Sequence, residues 1–196
     1  MNKETRAITQ EEFELITKTI AEGYCHNGVE HRPNLKIATI LICEANLGCR
    51  ISDILYLTLD SFEMIGSRCM IDIYEKKTGK RRKFSCNVQF YNFLLEYCMK
   101  NGIISKKRRI FDIGERAIQK SLKEVCDYLK LEKIGSHSFR KFFATSIYYA
   151  SNFNIAYVQR TLLHSSPQTT LRYIGMEESE LERILQETVN VPPINL

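Results

Sequence analysis

The chain has 196 residues, enough for one domain with a sizeable core. Its 28 Lys and Arg against 23 Asp and Glu leave a formal charge of +5, which favours an anionic partner without identifying it. The seven cysteines form no CxxC pair, which argues against a zinc framework and a disulfide scaffold, and no charged-then-apolar leader or long uncharged apolar run is present, so a reducing cytoplasm away from any membrane is the expected compartment.

In chain order, Thr9-Gln-Glu-Glu12 has the form of a capping box opening a helix, with Phe13, Ile16 and Ile20 on one face and Gly23 near its stop. His26 and His31 fall in a polar segment and read as solvated. Pro33 and Asn34 punctuate the chain before a second helix over Leu35 to Asn46, apolar almost all round and therefore central to the core; Gly48 ends it. Arg50-Ile-Ser-Asp53-Ile-Leu fits a short helix starting at the arginine. Arg50 then either stands beside helix N–H groups that suit an anion or pairs with Asp53 or Asp60 at the surface.

From Phe62 to Cys86 the period changes. Met70 to Tyr74 and Arg82 to Cys86 read as two short strands joined by Lys76-Lys-Thr-Gly79-Lys80, whose glycine suits a hairpin turn. The turn is densely basic: Lys76, Lys77, Lys80, Arg81, Arg82 and Lys83. Such a run serves either as a solvated edge guarded against sheet pairing or as a finger that touches phosphates. Helices follow near Val88 to Lys100, stopped by Asn101-Gly102, and near Glu115 to Lys130 with Ile118, Leu122, Val125 and Leu129 on one stripe. The basic run Lys106-Lys-Arg-Arg109 between them reads as a solvated loop. The cysteines read as small core residues.

The stretch Gly135 to Gly175 gathers His137, Arg140, His164 and Tyr173 on segments that Phe139, Phe142, Ile147, Ile155, Val158 and Leu162 can anchor. These side chains suit work on a phosphate: arginine offers a fixed fork of donors, histidine moves protons near neutrality, and a tyrosine becomes a nucleophile where neighbours stabilise its phenolate. Tyr148, Tyr149 and Tyr157 read as packing residues. An acidic amphipathic helix over Glu177 to Glu187 is expected next, before the tail Val191 to Leu196.

Taken together these segments resemble the tyrosine recombinases, or phage-type integrases, over roughly Ile8 to Glu187. Leu163-His164-Ser-Ser-Pro-Gln-Thr-Thr-Leu-Arg-Tyr173 is similar to the family's final box, with a tyrosine nine residues past the histidine. His137-Ser-Phe-Arg140 looks like its His-x-Leu-Arg box, Gly48-Cys-Arg50-Ile-Ser-Asp53 like its first arginine box, and Lys77-Thr-Gly79 like its hairpin lysine. Leu163 stands where the family usually has glycine, and Phe139 and Lys141 replace a leucine and a frequent histidine.

The resemblance implies an α+β, mainly α-helical fold with a small antiparallel hairpin or sheet, one catalytic domain over 1–196 with its core at about 8–175 and a C-terminal helix and tail over 176–196. Only seven residues precede Ile8, too few for the helical DNA-clamping domain that usually comes first in the family. It implies Arg50, Lys77, His137, Arg140, His164 and Tyr173 as catalytic residues, with Lys76, Lys80, Arg81, Arg82 and Lys83 contacting duplex DNA. Tyr173 would form a 3′-phosphotyrosyl link with no metal or cofactor, and strand exchange would involve other protomers, a tetramer on paired sites, with the C-terminal helix docking in trans. Two alternatives are a type IB topoisomerase, which relaxes DNA without exchanging partners, and a DNA-binding module without catalysis.

Overall fold

Thr9 Oγ1 accepts from the Glu12 N–H at 3.2 Å while the Glu12 carboxylate accepts from the Thr9 N–H at 2.9 Å. This reciprocal cap, expected from the sequence, opens α1 (Gln10–Glu22) in the computed structural model, which describes residues 5–163 and 166–174, the Arg172 side chain aside. The expected helix over 177–187 and the tail lie outside the described residues, as does His164.

After α1 comes a two-stranded hairpin, β1 (Tyr24–His26) and β2 (Val29–His31). The sequence reading missed it, because its strands are three residues long and polar. His31 is accordingly not simply solvated: its ring stacks on Tyr24 at 4.4 Å and stands 3.7 Å from the Glu124 carboxylate. Next, the Asn34 side chain accepts from the Ile37 N–H at 3.1 Å and caps α2 (Leu35–Leu47). Ile37, Ala38, Ile40, Leu41, Cys43 and Leu47 of this helix are buried, which fits its apolar circumference.

Gly48 closes α2 in the left-handed region at φ 55°, and a Cβ there would meet the Phe143 ring 2.1 Å away. Conformation and space both demand glycine. The turn sets the exit of the chain into α3 (Ile51–Ile54), a single turn whose cap residue is Arg50.

Three antiparallel strands follow in the order β3 (Phe62–Ile65), β4 (Arg68–Tyr74), β5 (Arg81–Cys86). The sequence supplied the last two but not β3, whose outer residues Met64 and Ile65 remain exposed. In the β4–β5 register Ile71 faces Phe84 and Ile73 faces Arg82. Helix α4 (Val88–Lys100) packs on β4, and α5 (Glu115–Leu129) buries Ile118, Leu122 and Val125, the stripe read from the sequence, packing against α1. Among the described residues α6 (Ser136–Ala150), α7 (Ile155–Leu162) and α8 (Pro167–Ile174) follow. They pack on one another around Ala144, Val158 and Leu162, while α6 also rests along α2. Helix α6 thus joins the main core to the small cluster that carries Tyr173.

Of the cysteines, Cys43, Cys49, Cys69, Cys98 and Cys126 are buried, Cys86 is half-buried and Cys25 is exposed. Tyr149 and Tyr157, expected as packing residues, are instead exposed, because both lie on the outward side of the α6–α7 pair. Among the described residues no helix is long and apolar enough to cross a membrane.

Candidate active site

Arg50 leaves α3 at its start and reaches the hairpin turn, where its Nη1 donates to Glu75 Oε2 at 2.9 Å. Neither pairing expected from the sequence forms. Asp53 instead accepts the Lys76 N–H at 2.9 Å, fastening the turn to the first arginine segment. Arg140 comes from the buried side of α6. It is 2% exposed, its Nη1 stands 3.9 Å from Glu75 Oε1, and its Nη2 donates to the Leu162 carbonyl at 3.4 Å. Two arginines ninety residues apart thus converge on one carboxylate.

The turn itself is tightly closed. The Glu75 N–H donates to the Lys80 carbonyl at 2.9 Å, and Gly79, at φ 66°, donates its N–H to the Glu75 carbonyl at 2.8 Å. Lys77 is exposed at its tip. Thr78 Oγ1 donates to Glu75 Oε2 at 2.8 Å. Although burial pushes the Glu75 carboxyl up, hydrogen bonds from Arg50 and Thr78 and the charges of Arg50 and Arg140 hold it below the ordinary carboxylate value.

His137 sits one helical turn before Arg140 on α6, with its residue surface open to solvent. Partial burial, then the positive charges of Arg140, Arg50, Lys141 and Lys77, lower its pKa below the usual 6.5. Tyr173 on α8 packs into the small cluster with its hydroxyl shielded from solvent. The Arg140 guanidinium lies 6.0 Å and Lys141 Nζ 5.8 Å from its ring centre. Burial pushes the phenol up to about 12 against the opposing pull of Arg140.

The sequence reading passed over two carboxylates here. Glu75 is one. The other is Glu44 of α2, fully buried with no hydrogen-bond partner for either oxygen among the described residues. Burial raises its pKa well above the ordinary value, against the lowering effect of Arg140.

One expectation is corrected. Arg82 is not an exposed contact of the hairpin: it is 2% exposed and its guanidinium points inward. It donates to the carbonyls of Leu47 (2.9 Å), Gly48 (3.1 Å) and Thr161 (2.9 Å) and to Cys49 Sγ (3.2 Å). The physical reason is strand alternation, which turns Arg82 to the same face as Phe84 and Cys86. Lys76, Lys80, Arg81 and Lys83 are exposed, and Arg81 pairs with Asp72. Lys76 Nζ lies 3.1 Å from Tyr56 Oη, and Arg109 stacks on the Tyr56 ring at 3.8 Å. The run 106–109 is therefore a docked, exposed segment: the Asp60 N–H donates to the Lys106 carbonyl and the Ile110 N–H to the Leu57 carbonyl.

The sequence profile described as "Phage integrase family" matches residues 6–180. The chain is 32% identical over 143 residues to the probable integrase/recombinase YoeC of Bacillus subtilis strain 168, covering 71% of this chain and 77% of that protein. It is 27% identical to the tyrosine recombinase XerC of Caldanaerobacter subterraneus subsp. tengcongensis over 165 residues, covering 76% of this chain but 43% of that one. Solved structures share the fold, among them these two. The XerH site-specific recombinase bound to its difH substrate superposes with a TM-score of 0.67 at 20% identity, over 94% of this chain and 55% of that one. The catalytic domain of bacteriophage HP1 integrase gives 0.62 at 18% identity, over 93% and 95%. The chain therefore spans about half the length of several relatives and nearly the whole of an isolated catalytic domain. A profile match over most of its length, together with the YoeC likeness, places this chain in the phage integrase family.

Proposed function

We propose that this chain catalyses site-specific breaking and rejoining of duplex DNA, with Tyr173 as nucleophile and other protomers supplying the second strand, as a tetramer on paired sites. The observation that carries the reading is the convergence of Arg50 and Arg140 on one carboxylate, with Tyr173 packed beside Arg140. In the reaction, Tyr173 Oη forms a bond to phosphorus, the bond from phosphorus to the 5′-oxygen breaks, and the 3′-phosphotyrosyl link keeps the bond energy for rejoining. Arg50 and Arg140 meet the charge that grows on the non-bridging oxygens. A phenol pushed up to about 12 keeps its proton at neutral pH, so its removal needs help. His137, whose lowered pKa leaves it neutral, accepts that proton, and Lys77 protonates the departing oxygen. His164 takes its proposed place on a non-bridging oxygen from the family resemblance alone.

The test begins with a pool of nicked duplexes bearing a randomised segment. Covalent protein–DNA adducts are partitioned at a phenol interface and sequenced, which also delivers the preferred site. The expected result is an enriched sequence joined to Tyr173, with Tyr173→Phe yielding no adduct yet binding the selected duplex within a few-fold of the parent, since one oxygen and no charge is lost. An adduct formed by Tyr173→Phe moves the nucleophile elsewhere. Plasmid relaxation without recombinant product favours the topoisomerase alternative.

A further inference from the structure

Glu75 plays no part in the chemistry above, yet it touches both arginines and the turn that carries Lys77. Its side chain is 2% exposed. Oε2 accepts from Arg50 Nη1 and Thr78 Oγ1, and Oε1 faces Arg140 Nη1 at 3.9 Å. Its main chain closes the turn that carries Lys77, through the Lys80 carbonyl on one side and the Gly79 N–H on the other.

We propose that Glu75 is a positioning residue that holds Arg50 and Arg140 from behind, at the separation needed to clasp one phosphate, and ties that fork to the turn bearing Lys77. The inference rests on the reading of the two arginines as phosphate ligands. Its first support is electrostatic: two guanidiniums brought together in a poorly solvated place repel, and a carboxylate between them turns repulsion into attraction while leaving a net positive charge for the phosphate. The second is access. The Arg50 side chain retains 23% of its exposure against 2% for Glu75, so a phosphate arriving from solvent meets the arginine and not the carboxylate. Glu75 therefore does not compete for the phosphate's place. The third is unused capacity. Glu75 Oε1 and Arg140 Nη1 each lack a hydrogen bond among the described residues, and Arg50 spends one nitrogen on Glu75, leaving the rest of its fork for a ligand. Among the described residues, Glu75 is the carboxylate that both the arginine capping a one-turn helix and the arginine on a long one reach. Small misplacement of such groups costs rate far more than it costs binding.

The test uses the duplex selected above in two forms, one with the normal scissile phosphate and one with a methylphosphonate there. The latter carries no charge and depends less on correctly placed arginines. Single-turnover adduct formation is measured for the parent, Glu75→Gln and Glu75→Ala, with duplex affinity measured by gel shift. Glu75→Ala is expected to slow the normal substrate about 10- to 100-fold, with affinity within about three-fold, and the deficit should shrink to a few-fold on the methylphosphonate. Glu75→Gln, which keeps an oxygen for Arg50 but no charge for Arg140, should fall between parent and Ala. Parent-like rates in both variants overturn the proposal, and so does a deficit of equal size on both substrates. Should Glu75→Ala fail to bind the duplex, the size-matched Gln variant decides alone. If the parent itself forms no adduct, the enzymatic reading fails before Glu75 is tested, so the two failures are distinguishable.

Discussion

Lys77 is exposed at the tip of a turn whose ends are pinned by Glu75 and whose neighbour Lys76 is fastened to Asp53. An exposed side chain on a pinned turn suits a proton donor that must reach an oxygen arriving with the substrate. A general acid matters only when the leaving group needs a proton; an alkoxide does, whereas a thiolate, with a thiol pKa of about 8.5, does not. Lys77→Ala should slow cleavage of the normal strand by roughly 10²- to 10⁴-fold but cleave a strand with bridging 5′-sulfur nearly as fast as the parent. Arg140→Ala should gain nothing from the sulfur, because the charge it meets sits on the other oxygens. Rescue in Lys76→Ala or Lys80→Ala instead would shift the assignment within the turn. His137 supplies a pH signature at the same scale. Its pKa lies below 6.5 in the folded protein, so the unfolded chain binds more protons between the two values. Its stabilising contribution is thus present above about pH 6.5 and lost as pH falls toward the folded value. The cleavage rate should drop over the same acidic window, and His137→Gln, already slow, should lose that inflection.

At the scale of elements, the strands β4 and β5 decide which of the hairpin's charges are available. Position parity was visible in the sequence: Cys69, Ile71 and Ile73 point inward, and the next residue of that parity is Glu75, while Phe84 and Cys86 share their face with Arg82. Reading the run from Lys76 to Lys83 by charge alone concealed both. The long helices were legible because their apolar spacing and caps are local, as at Thr9, Asn34 and the stripe of α5. The pairing of Arg50 with Glu75 was not, since nothing in sequence joins residues 25 apart across a chain reversal. Leu163 shows a further limit: it adopts φ 55°, a conformation that glycine takes freely and leucine rarely, which nothing in the local sequence announces. The buried arginine gives the element-scale prediction. Arg82 joins β5 to the end of α2 and the last turn of α7, so Arg82→Ala leaves three carbonyls without their donor and should cost about 3 kcal/mol or more in urea unfolding. Arg81→Ala, one residue away on the solvent face, should leave the unfolding midpoint unchanged and weaken duplex binding instead. Equal destabilisation by the two would mean that the inward face is less tightly bound than these contacts imply.

Across the whole molecule exposed cations occur on most elements, but two basic runs stand together. The turn contributes Lys76, Lys77 and Lys80, and the segment 106–109 stands next to it, because Tyr56 takes Lys76 Nζ on its hydroxyl and the Arg109 guanidinium on its ring. An isolated bridge between Thr58 and Arg109 and the flanking backbone bonds hold this second basic run against the segment that follows Arg50. On the proposed reading, a surface built this way offers cations to a duplex at a fixed spacing from Arg50 and Arg140. Binding of this 196-residue chain to duplex DNA should therefore be governed by counterion release, with log affinity falling by about 0.9 per neutralised phosphate for each unit of log salt. Replacing Lys106, Lys107, Arg108 and Arg109 together by alanine removes several of those contacts without touching the buried fork. We expect the slope to become shallower by about 2 or more, measured by fluorescence anisotropy on the selected duplex between 50 and 200 mM salt, roughly the range over which such contacts are resolved. The rate of adduct formation at saturating protein should stay near that of the parent, since the segment positions the duplex rather than the scissile phosphate. A slope unchanged by the four substitutions would confine the interface to the turn, and a rate lost at saturation would show that Arg109, through Tyr56 and Lys76, helps to set the turn itself.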